Sequence, residues 1–324
     1  MKYYLSVDGG GTKTAFLLCG ENGMVQADCI LGPANYMVNG TESVLSVLKE
    51  GVLKICCQAK IAQSDILGAF IAIAGYGDVP EDVPVITRLV EEAFPRIPLT
   101  LGNDTENALA GSLPGRRGVH IIAGTGSIGL GIDRAGRYVR CGGWHHLFGG
   151  DEGSAYWIGC QLLIHFTKQA DGREEKSELY DYIMRKYDLS CPEDILKLVV
   201  TEWEGKRDKI AGFSRDASEL AEKGDKNARR IFFDAAGELA LIVKGIVSHG
   251  NFDFPVSVSY SGGVFKSMKY LKDAFEESLK DIPHHLCGPQ LPPAAGGILL
   301  ACERSGGSIS QEMLKNLSPV WDIF

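Results

Sequence analysis

A glycine-rich turn near the amino end has the residue types that bind nucleotide phosphates. It reads Asp8-Gly9-Gly10-Gly11-Thr12-Lys13-Thr14 and separates two apolar segments, residues 3–7 and 15–19. The segments predict an antiparallel hairpin, and the glycines remove every Cβ from the reversal, so backbone N–H groups can approach an anion. Thr12 and Thr14 add hydroxyl donors, and Lys13 adds a cation. Asp8 would lie beside a phosphate only with a metal ion between them, which indicates a nucleoside triphosphate with Mg²⁺.

The same turn also has a purely structural interpretation, because glycine-rich hairpins without a ligand are common. Two other phosphate-binding motifs are excluded. The sequence lacks the Walker A pattern Gly-x-x-x-x-Gly-Lys-Ser/Thr. A Rossmann turn leads from a strand into a helix, whereas a strand is predicted to follow here.

A second turn resembles the first and lies in the second half of the chain. Gly124-Thr125-Gly126-Ser127 separates two apolar segments, residues 119–123 and 128–132, and a further turn at Gly136 corresponds to the one at Gly23. This is a weak internal repeat. Because alternating helices and strands follow each hairpin, we predict two α/β lobes with a nucleotide in the cleft between them.

The composition is that of an ordinary globular protein with an acidic surface. The 324 residues are 45% hydrophobic and 23% charged, and 33 basic against 41 acidic residues give a net charge of −8. The negative charge argues against nucleic-acid and acidic-membrane partners. Nine cysteines without a Cys-x-x-Cys pair favour reduced thiols in a cytoplasmic protein. No apolar run is long enough to cross a membrane, and no targeting segment is predicted.

Three motifs together resemble a known superfamily. The Asp8–Thr12 turn, the Gly124–Ser127 turn and Ser261-Gly262-Gly263-Val264-Phe265 are similar to the phosphate and adenosine motifs of actin-like ATPases. Gly142-Gly143-Trp144, followed by Gly150-Asp151-Glu152-Gly153-Ser154-Ala155-Tyr156-Trp157, resembles the BadF/BadG/BcrA/BcrD ATPase family. The resemblance implies a two-lobed, ribonuclease H-like α/β fold with an interdomain nucleotide and sugar cleft. We expect lobes at residues 1–115 and 116–305, with residues 306–324 packing on the first.

The resemblance also implies an activity and a set of site residues. The activity is ATP- and Mg²⁺-dependent phosphorylation of an amino sugar, most closely N-acetylglucosamine to its 6-phosphate, by a homodimer. Asp104 matches the catalytic aspartate and also contacts sugar. The other expected contacts are, for ATP, Gly10, Gly11, Thr12, Lys13, Thr125, Gly126, Gly224, Gly263 and Ser267; for sugar, Asn35, Gly143, Trp144 and Asp151; and for Mg²⁺, through water, Asp8.

Chemistry supports some of these roles and leaves others open. Phosphoryl transfer needs positioning, charge neutralisation and a carboxylate that accepts the hydroxyl proton. Asp104 follows a predicted strand, where its carboxylate could accept this proton. The alternative is that Asp104 caps the helix that begins after it. Asp151 could accept sugar hydroxyls or lie in a solvated acidic turn. Trp144 could stack on sugar or fill the core. His145 and His146 are adjacent, so on a strand they would point to opposite faces and not form a metal pair.

Other functions compete with this prediction. Residues 145–149 form a loop that is one residue longer than the one usual in these kinases, so glucosamine, N-acetylmannosamine and N-acetylmuramic acid remain alternative substrates. An iron–sulfur activator ATPase of CoA-thioester dehydratases shares the family, but no cysteine stands in the expected context. A sugar-responsive repressor would need a DNA-binding segment, and the chain begins directly with its first predicted strand.

Overall fold

In the computed structural model the chain forms two compact units. The structure describes residues 2–324, except for the side chain of Phe148. One unit contains the residues up to His120 together with Gly288–Phe324, and the other contains Ile121–Cys287. These bounds differ from the predicted lobes, because residues 288–305 join the first unit rather than the second. The strand β6, Gly118–Ala123, crosses the boundary near His120.

The first unit contains a five-stranded mixed sheet. Its strands, in the order β3-β2-β1-β4-β5, pair antiparallel through β3, β2 and β1 and parallel through β1, β4 and β5. The hairpin predicted around the first turn is present, with Asp8 opposite Ala15. The strands are β1 Tyr3–Gly9, β2 Thr14–Gly20, β3 Val25–Leu31, β4 Ile66–Ile73 and β5 Leu99–Gly102.

Helices cover both faces of this sheet, and the alternation of side chains along β1 shows why. Leu5 and Val7 belong to a core that includes residues of two helices between β3 and β5, whereas Tyr4 belongs to a second core with residues of the last two helices of the chain. Because both faces are buried, the central strands β2 and β4 are apolar almost throughout. The helices of this unit are α1 Tyr36–Asn39, α2 Thr41–Ala59, α3 Val83–Ala93, α4 Asp104–Ser112, α11 Pro293–Arg304 and α12 Gln311–Leu317.

The second unit repeats the topology of the first sheet. Its strand order, β8-β7-β6-β9-β10, corresponds strand for strand to β3-β2-β1-β4-β5, which accounts for the weak sequence repeat. The strands after β6 are β7 Ser127–Ile132, β8 Tyr138–Gly142, β9 Val256–Ser261 and β10 His284–Cys287, and the helices are α5 Ala155–Ala170, α6 Glu178–Lys186, α7 Asp194–Leu196, α8 Arg207–Glu222, α9 Lys226–His249 and α10 Met268–Ser278.

Helices α8 and α9 are separated by a short break at residues 223–225. Gly224 has a φ of 95°, in the region that favours glycine, and follows the end of α8. The Asp225 side chain then caps α9 by accepting hydrogen bonds from the N–H groups of Asn227 and Ala228. Among the helices described here, none is both long and apolar enough to span a membrane.

Candidate active site

The first glycine-rich turn joins β1 to β2 and has exposed residues at its tip. Gly10 N–H donates to the Lys13 carbonyl at 3.0 Å, and no atom lies within 4 Å of the position that a Cβ on Gly11 would occupy. Thr12 and Lys13 are exposed, and the Lys13 Nζ donates to the Phe324 carbonyl at 3.1 Å. The expectation of a free hydroxyl at Thr14 is wrong, because this buried side chain donates to the Gly32 carbonyl at 2.7 Å.

Several predicted site residues gather at the same edge of the first sheet. Asn35 forms a bridge with Ala74, just beyond the end of β4, and its side chain caps α1. The Asn103 Nδ2 donates to the Tyr76 carbonyl at 3.1 Å. Because β1, β4 and β5 are parallel, their carboxyl ends bring these residues and Asp8 to one edge. Asn35 and Asp104 therefore lie on neighbouring loops of one unit.

Asp104 is the first residue of α4 and does not cap it. The cap is Asn103, whose side chain accepts from the Thr105 N–H at 3.1 Å, while Glu106 accepts from the Asn103 N–H. The alternative role of Asp104 as a helix cap is therefore excluded. Burial, and next the charge of Asp8, raise the pKa of Asp104 to about 7, against hydrogen bonds from backbone N–H groups that lower it. A carboxyl group with this pKa can accept a proton near neutral pH.

Asp8, near the end of β1, is the carboxylate whose charge raises the pKa of Asp104. Burial raises the pKa of Asp8 to about 6, while the Asn107 hydrogen bond and the Lys13 charge act in the opposite direction. Asn107 is fully buried, and its Nδ2 donates to Asp8 Oδ1 at 2.9 Å and to the Val7 carbonyl at 3.2 Å. Sequence reasoning missed Asn107. Its spacing of three residues from Asp104 on one helix was the available signal.

The second glycine-rich turn is built into the start of α5. Ala155 N–H donates to the Gly124 carbonyl at 2.9 Å, and Tyr156 N–H donates to the Thr125 carbonyl at 3.2 Å. A Cβ on Gly262 would lie 2.3 Å from the Ala123 carbonyl oxygen, so glycine is needed for the third motif to approach this turn. The second and third motifs are therefore adjacent within the second unit.

These two motifs open onto a cavity of about 890 Å³ inside the second unit, which is large enough for a nucleotide. Gly124, Thr125, Gly263 and Ser267 contribute to its wall, and the Ser267 and Ser218 hydroxyl oxygens are 2.9 Å apart. Gly224 is not among the described residues that line the cavity, although Lys223 is. The other lining residues are Ala155, Ile158, Asp208, Ala211, Gly212, Ser214, Arg215, Glu219, Glu222, Phe232, Val264 and Lys266.

The residues after β8 lie beside the second turn. Gly143 N–H donates to the Ser127 carbonyl at 3.0 Å, and Gly143 has a φ of 70°. Trp144 is 69% exposed, which excludes the alternative that it fills the core. The prediction that His145 and His146 point apart is wrong, since their ring centroids are 4.3 Å apart. His146 begins a short 3-10 helix that His145 caps, so the two residues are not on a strand.

The Asp151 side chain contacts two residues of the second unit, Ser127 and Arg207. Its carboxylate is nearly buried, accepts from the Ser127 N–H through Oδ1 at 3.2 Å, and pairs through Oδ2 with the Arg207 Nη2 at 2.5 Å. Arg207 was not predicted, because Lys206-Arg207-Asp208-Lys209 resembles an ordinary solvated helix start. Residues 2–324 include no group of three or more His, Cys, Asp or Glu side chains placed to hold a metal ion.

Comparison with known proteins identifies the class and then the family. The fold matches that of a candidate N-acetylglucosamine kinase from Chromobacterium violaceum, with a TM-score of 0.69 at 22% identity over 93% of this chain and 99% of that one. This defines an α/β fold of the sugar-kinase type. The chain belongs to the BadF/BadG/BcrA/BcrD ATPase family, whose model matches residues 5–301. The resemblance found in the sequence is therefore confirmed.

Two relatives carry more specific names. An N-acetylmuramic acid/N-acetylglucosamine kinase from Clostridium acetobutylicum is 33% identical over 280 residues, 86% of this chain and 90% of the relative. An N-acetyl-D-glucosamine kinase from Dictyostelium discoideum is 28% identical over 312 residues, 92% of this chain and 97% of the relative. Both similarities extend over most of the chain, so they include both units.

Proposed function

We propose that the protein is an ATP-dependent kinase that phosphorylates an amino sugar, most specifically N-acetylglucosamine at its 6-hydroxyl. The observation that carries the proposal is Asp104, a carboxyl group with a pKa of about 7 at the sheet edge where Asn35 also lies. A general base is most effective when its pKa lies near the working pH. The names of the two relatives support the same activity.

In the proposed reaction, Asp104 accepts the proton of the attacking sugar hydroxyl. The hydroxyl oxygen bonds to the terminal phosphorus of ATP while the bond from that phosphorus to ADP breaks. The remaining assignments follow the family motifs: the phosphates at Gly10, Gly11, Thr12, Lys13, Thr125 and Gly126, adenosine near Gly224, Gly263 and Ser267, and sugar at Asn35, Gly143, Trp144 and Asp151.

Magnesium fits the donor set of the first unit. Mg²⁺ prefers oxygen ligands and is usually held by one or two carboxylates together with phosphates. Asp8 would hold it, with Asp104 nearby, because Asn107 engages Oδ1 of Asp8 and leaves Oδ2 for the ion or its water. When bound, the ion would neutralise charge on the phosphates. The side chains and backbone of the protein bind and orient the two substrates, and Asp104 accepts the hydroxyl proton.

An ADP-release assay across amino sugars tests the proposal. The panel contains N-acetylglucosamine, glucosamine, N-acetylmannosamine and N-acetylmuramic acid, with ATP and Mg²⁺, and NMR of the product identifies the phosphorylated hydroxyl. We expect the highest kcat/KM with N-acetylglucosamine and a 6-phosphate product. Absence of turnover on every hexosamine by protein that still binds ATP would rule out the proposed function.

The proposal includes a homodimer in the cytoplasm. All nine cysteines are free thiols, as a reducing compartment would keep them. Sedimentation of the purified protein tests the homodimer, and a mass of one chain would contradict it. Cell fractionation tests the cytoplasmic location.

A further inference from the structure

Arg207 occupies a place that the family motifs do not assign. It is the first residue of α8, and the helix then lines the nucleotide-sized cavity through Asp208, Ala211 and Arg215. Its guanidinium group lies directly against the second glycine-rich turn, because a Cβ on Gly126 would be only 2.0 Å from Nη2. Glycine at this position is thus what allows a cation to approach the turn.

The nearly buried Asp151 carboxylate holds this cation in place. Its Oδ2 is 2.5 Å from Arg207 Nη2, and its Oδ1 accepts from the Ser127 N–H, so the ion pair fixes Arg207 to the turn itself. A buried carboxylate needs such a partner, because an uncompensated charge is costly to desolvate. The Arg207 side chain is nevertheless 38% exposed, and a guanidinium group has five N–H donors. In the part of the chain that the structure describes, only Nη2 is paired with Asp151, so N–H donors of the guanidinium group remain.

The residues at the ends of the cavity wall indicate what these donors face. Along the second turn the cavity wall includes Gly124 and Thr125, and along α8 it begins at Asp208. The next residue beyond it is Gly126 on the turn and Arg207 on the helix, and these two are in contact. A phosphate chain that leaves the cavity along the turn would meet Arg207 after Thr125. The last phosphate group in the chain would be the one beside the guanidinium.

We propose that Arg207 contacts the terminal phosphate of ATP and stabilises the phosphoryl group during transfer, with Asp151 as the residue that positions it. The inference rests on the proposed kinase function. In the step concerned, the sugar oxygen bonds to the terminal phosphorus, the bond from that phosphorus to ADP breaks, and the hydroxyl proton passes to Asp104. Arg207 donates hydrogen bonds to the phosphoryl oxygens, where negative charge is spread, and gives up no proton.

Binding measurements on Arg207→Gln, Arg207→Lys and Lys209→Gln test the contact without turnover. Lys209→Gln removes the same charge from an exposed position on the same turn of α8. By calorimetry without sugar, we expect Arg207→Gln to weaken a non-hydrolysable ATP analogue by about tenfold, as for a lost charge-assisted hydrogen bond, with ADP affinity nearly unchanged. Arg207→Lys should lie between, and Lys209→Gln should match the wild type. Equal losses for ADP and the analogue would overturn the proposal.

Kinetics separate a catalytic contact from a structural ion pair. We expect Arg207→Gln to lower kcat by at least about 10²-fold, with the KM for sugar little changed. If Arg207 only neutralised Asp151, Arg207→Lys, which keeps a cation beside that carboxylate, would keep kcat at the wild-type value, and that result would overturn the proposal. A defect confined to the KM of acidic sugars would also overturn it. A wild type without sugar-dependent ADP release would refute the kinase function, while the calorimetric comparison would still test Arg207.

Discussion

Asp104 owes its raised pKa to burial and then to the charge of Asp8, whereas Asp8 owes its raised pKa to burial alone, and different residues position the two carboxyl groups. Asp104 begins α4 behind the Asn103 cap, and Asp8 is held by Asn107 at 2.9 Å. The glycine-rich turn predicts Asp8 as a residue beside Mg²⁺, and the resemblance to the family predicts Asp104 as the base. The sequence does not predict their partners, because the hydrogen bond from Asn107 to Asp8 joins positions 99 residues apart. The ion pair between Arg207 and Asp151 was missed for the same reason, because it also joins residues that are distant in the sequence.

Replacing Asp104 tests its role as the base. Asp104→Asn keeps the size of the side chain but cannot accept the hydroxyl proton, so we expect kcat to fall by about 10²–10⁴-fold while ATP binding is retained. Steady-state kinetics and calorimetry measure the two quantities. Glu81→Gln, an exposed carboxyl in the same unit, is the control. Loss of ATP binding in Asp104→Asn would instead assign Asp104 to the metal site.

The raised pKa of Asp104 has two consequences for pH dependence. The base must be ionised, so kcat/KM should rise with pH through about 7.

The same raised pKa makes the contribution of Asp104 to folding stability decrease as the pH rises. Between the ordinary value of 3.8 and about 7, the folded chain binds the proton more tightly than the unfolded chain, so this group's contribution falls as pH rises. Without Mg²⁺, wild type should lose more thermal stability than Asp104→Asn between pH 5 and 8; equal losses would contradict the raised pKa.

At the scale of elements, the close packing of α11 explains its glycines. A Cβ on Gly296 would lie 2.0 Å from the Asn107 carbonyl oxygen, and one on Gly297 would lie 2.1 Å from Ser6 Oγ. Helix α11 thus approaches α4 and β1 more closely than any side chain would permit. This helix lies in the first unit although the predicted bounds include residues 293–304 in the second lobe, because nothing local in a sequence records which sheet a helix covers.

A pair of glycine substitutions tests this packing. Gly296→Ala should lower the free energy of unfolding by about 1–3 kcal/mol, because its Cβ would meet backbone atoms that cannot move away. Gly237→Ala in α9 is the matched control: no atom lies within 4 Å of its Cβ position, so the helix should gain up to about 1 kcal/mol. Chemical denaturation measures both. A neutral Gly296→Ala would show that α11 does not pack as closely as described.

At the scale of the whole molecule, the first unit is formed by the two ends of the chain. Residues 288–324 return to it, and Met313, Leu317 and Val320 are buried in the same core as Tyr4 and Leu17. A short helix at residues 310–316 is predicted from the sequence, but its packing on the first lobe was an expectation only, because a short amphipathic helix does not by itself indicate its partner. The discontinuity makes the stability of this unit depend on residues that are distant in sequence.

Leu317→Ala tests whether the two units respond separately. Leu317 is fully buried, so its truncation should cost about 2–5 kcal/mol in the first unit. Amide hydrogen exchange followed by mass spectrometry should show faster exchange in β1–β5, while residues 121–287 keep their protection and the cavity still binds ADP. Lys315→Ala, an exposed residue on the same helix, should leave exchange unchanged. Faster exchange spread evenly over both units would show instead that the chain unfolds as one cooperative unit.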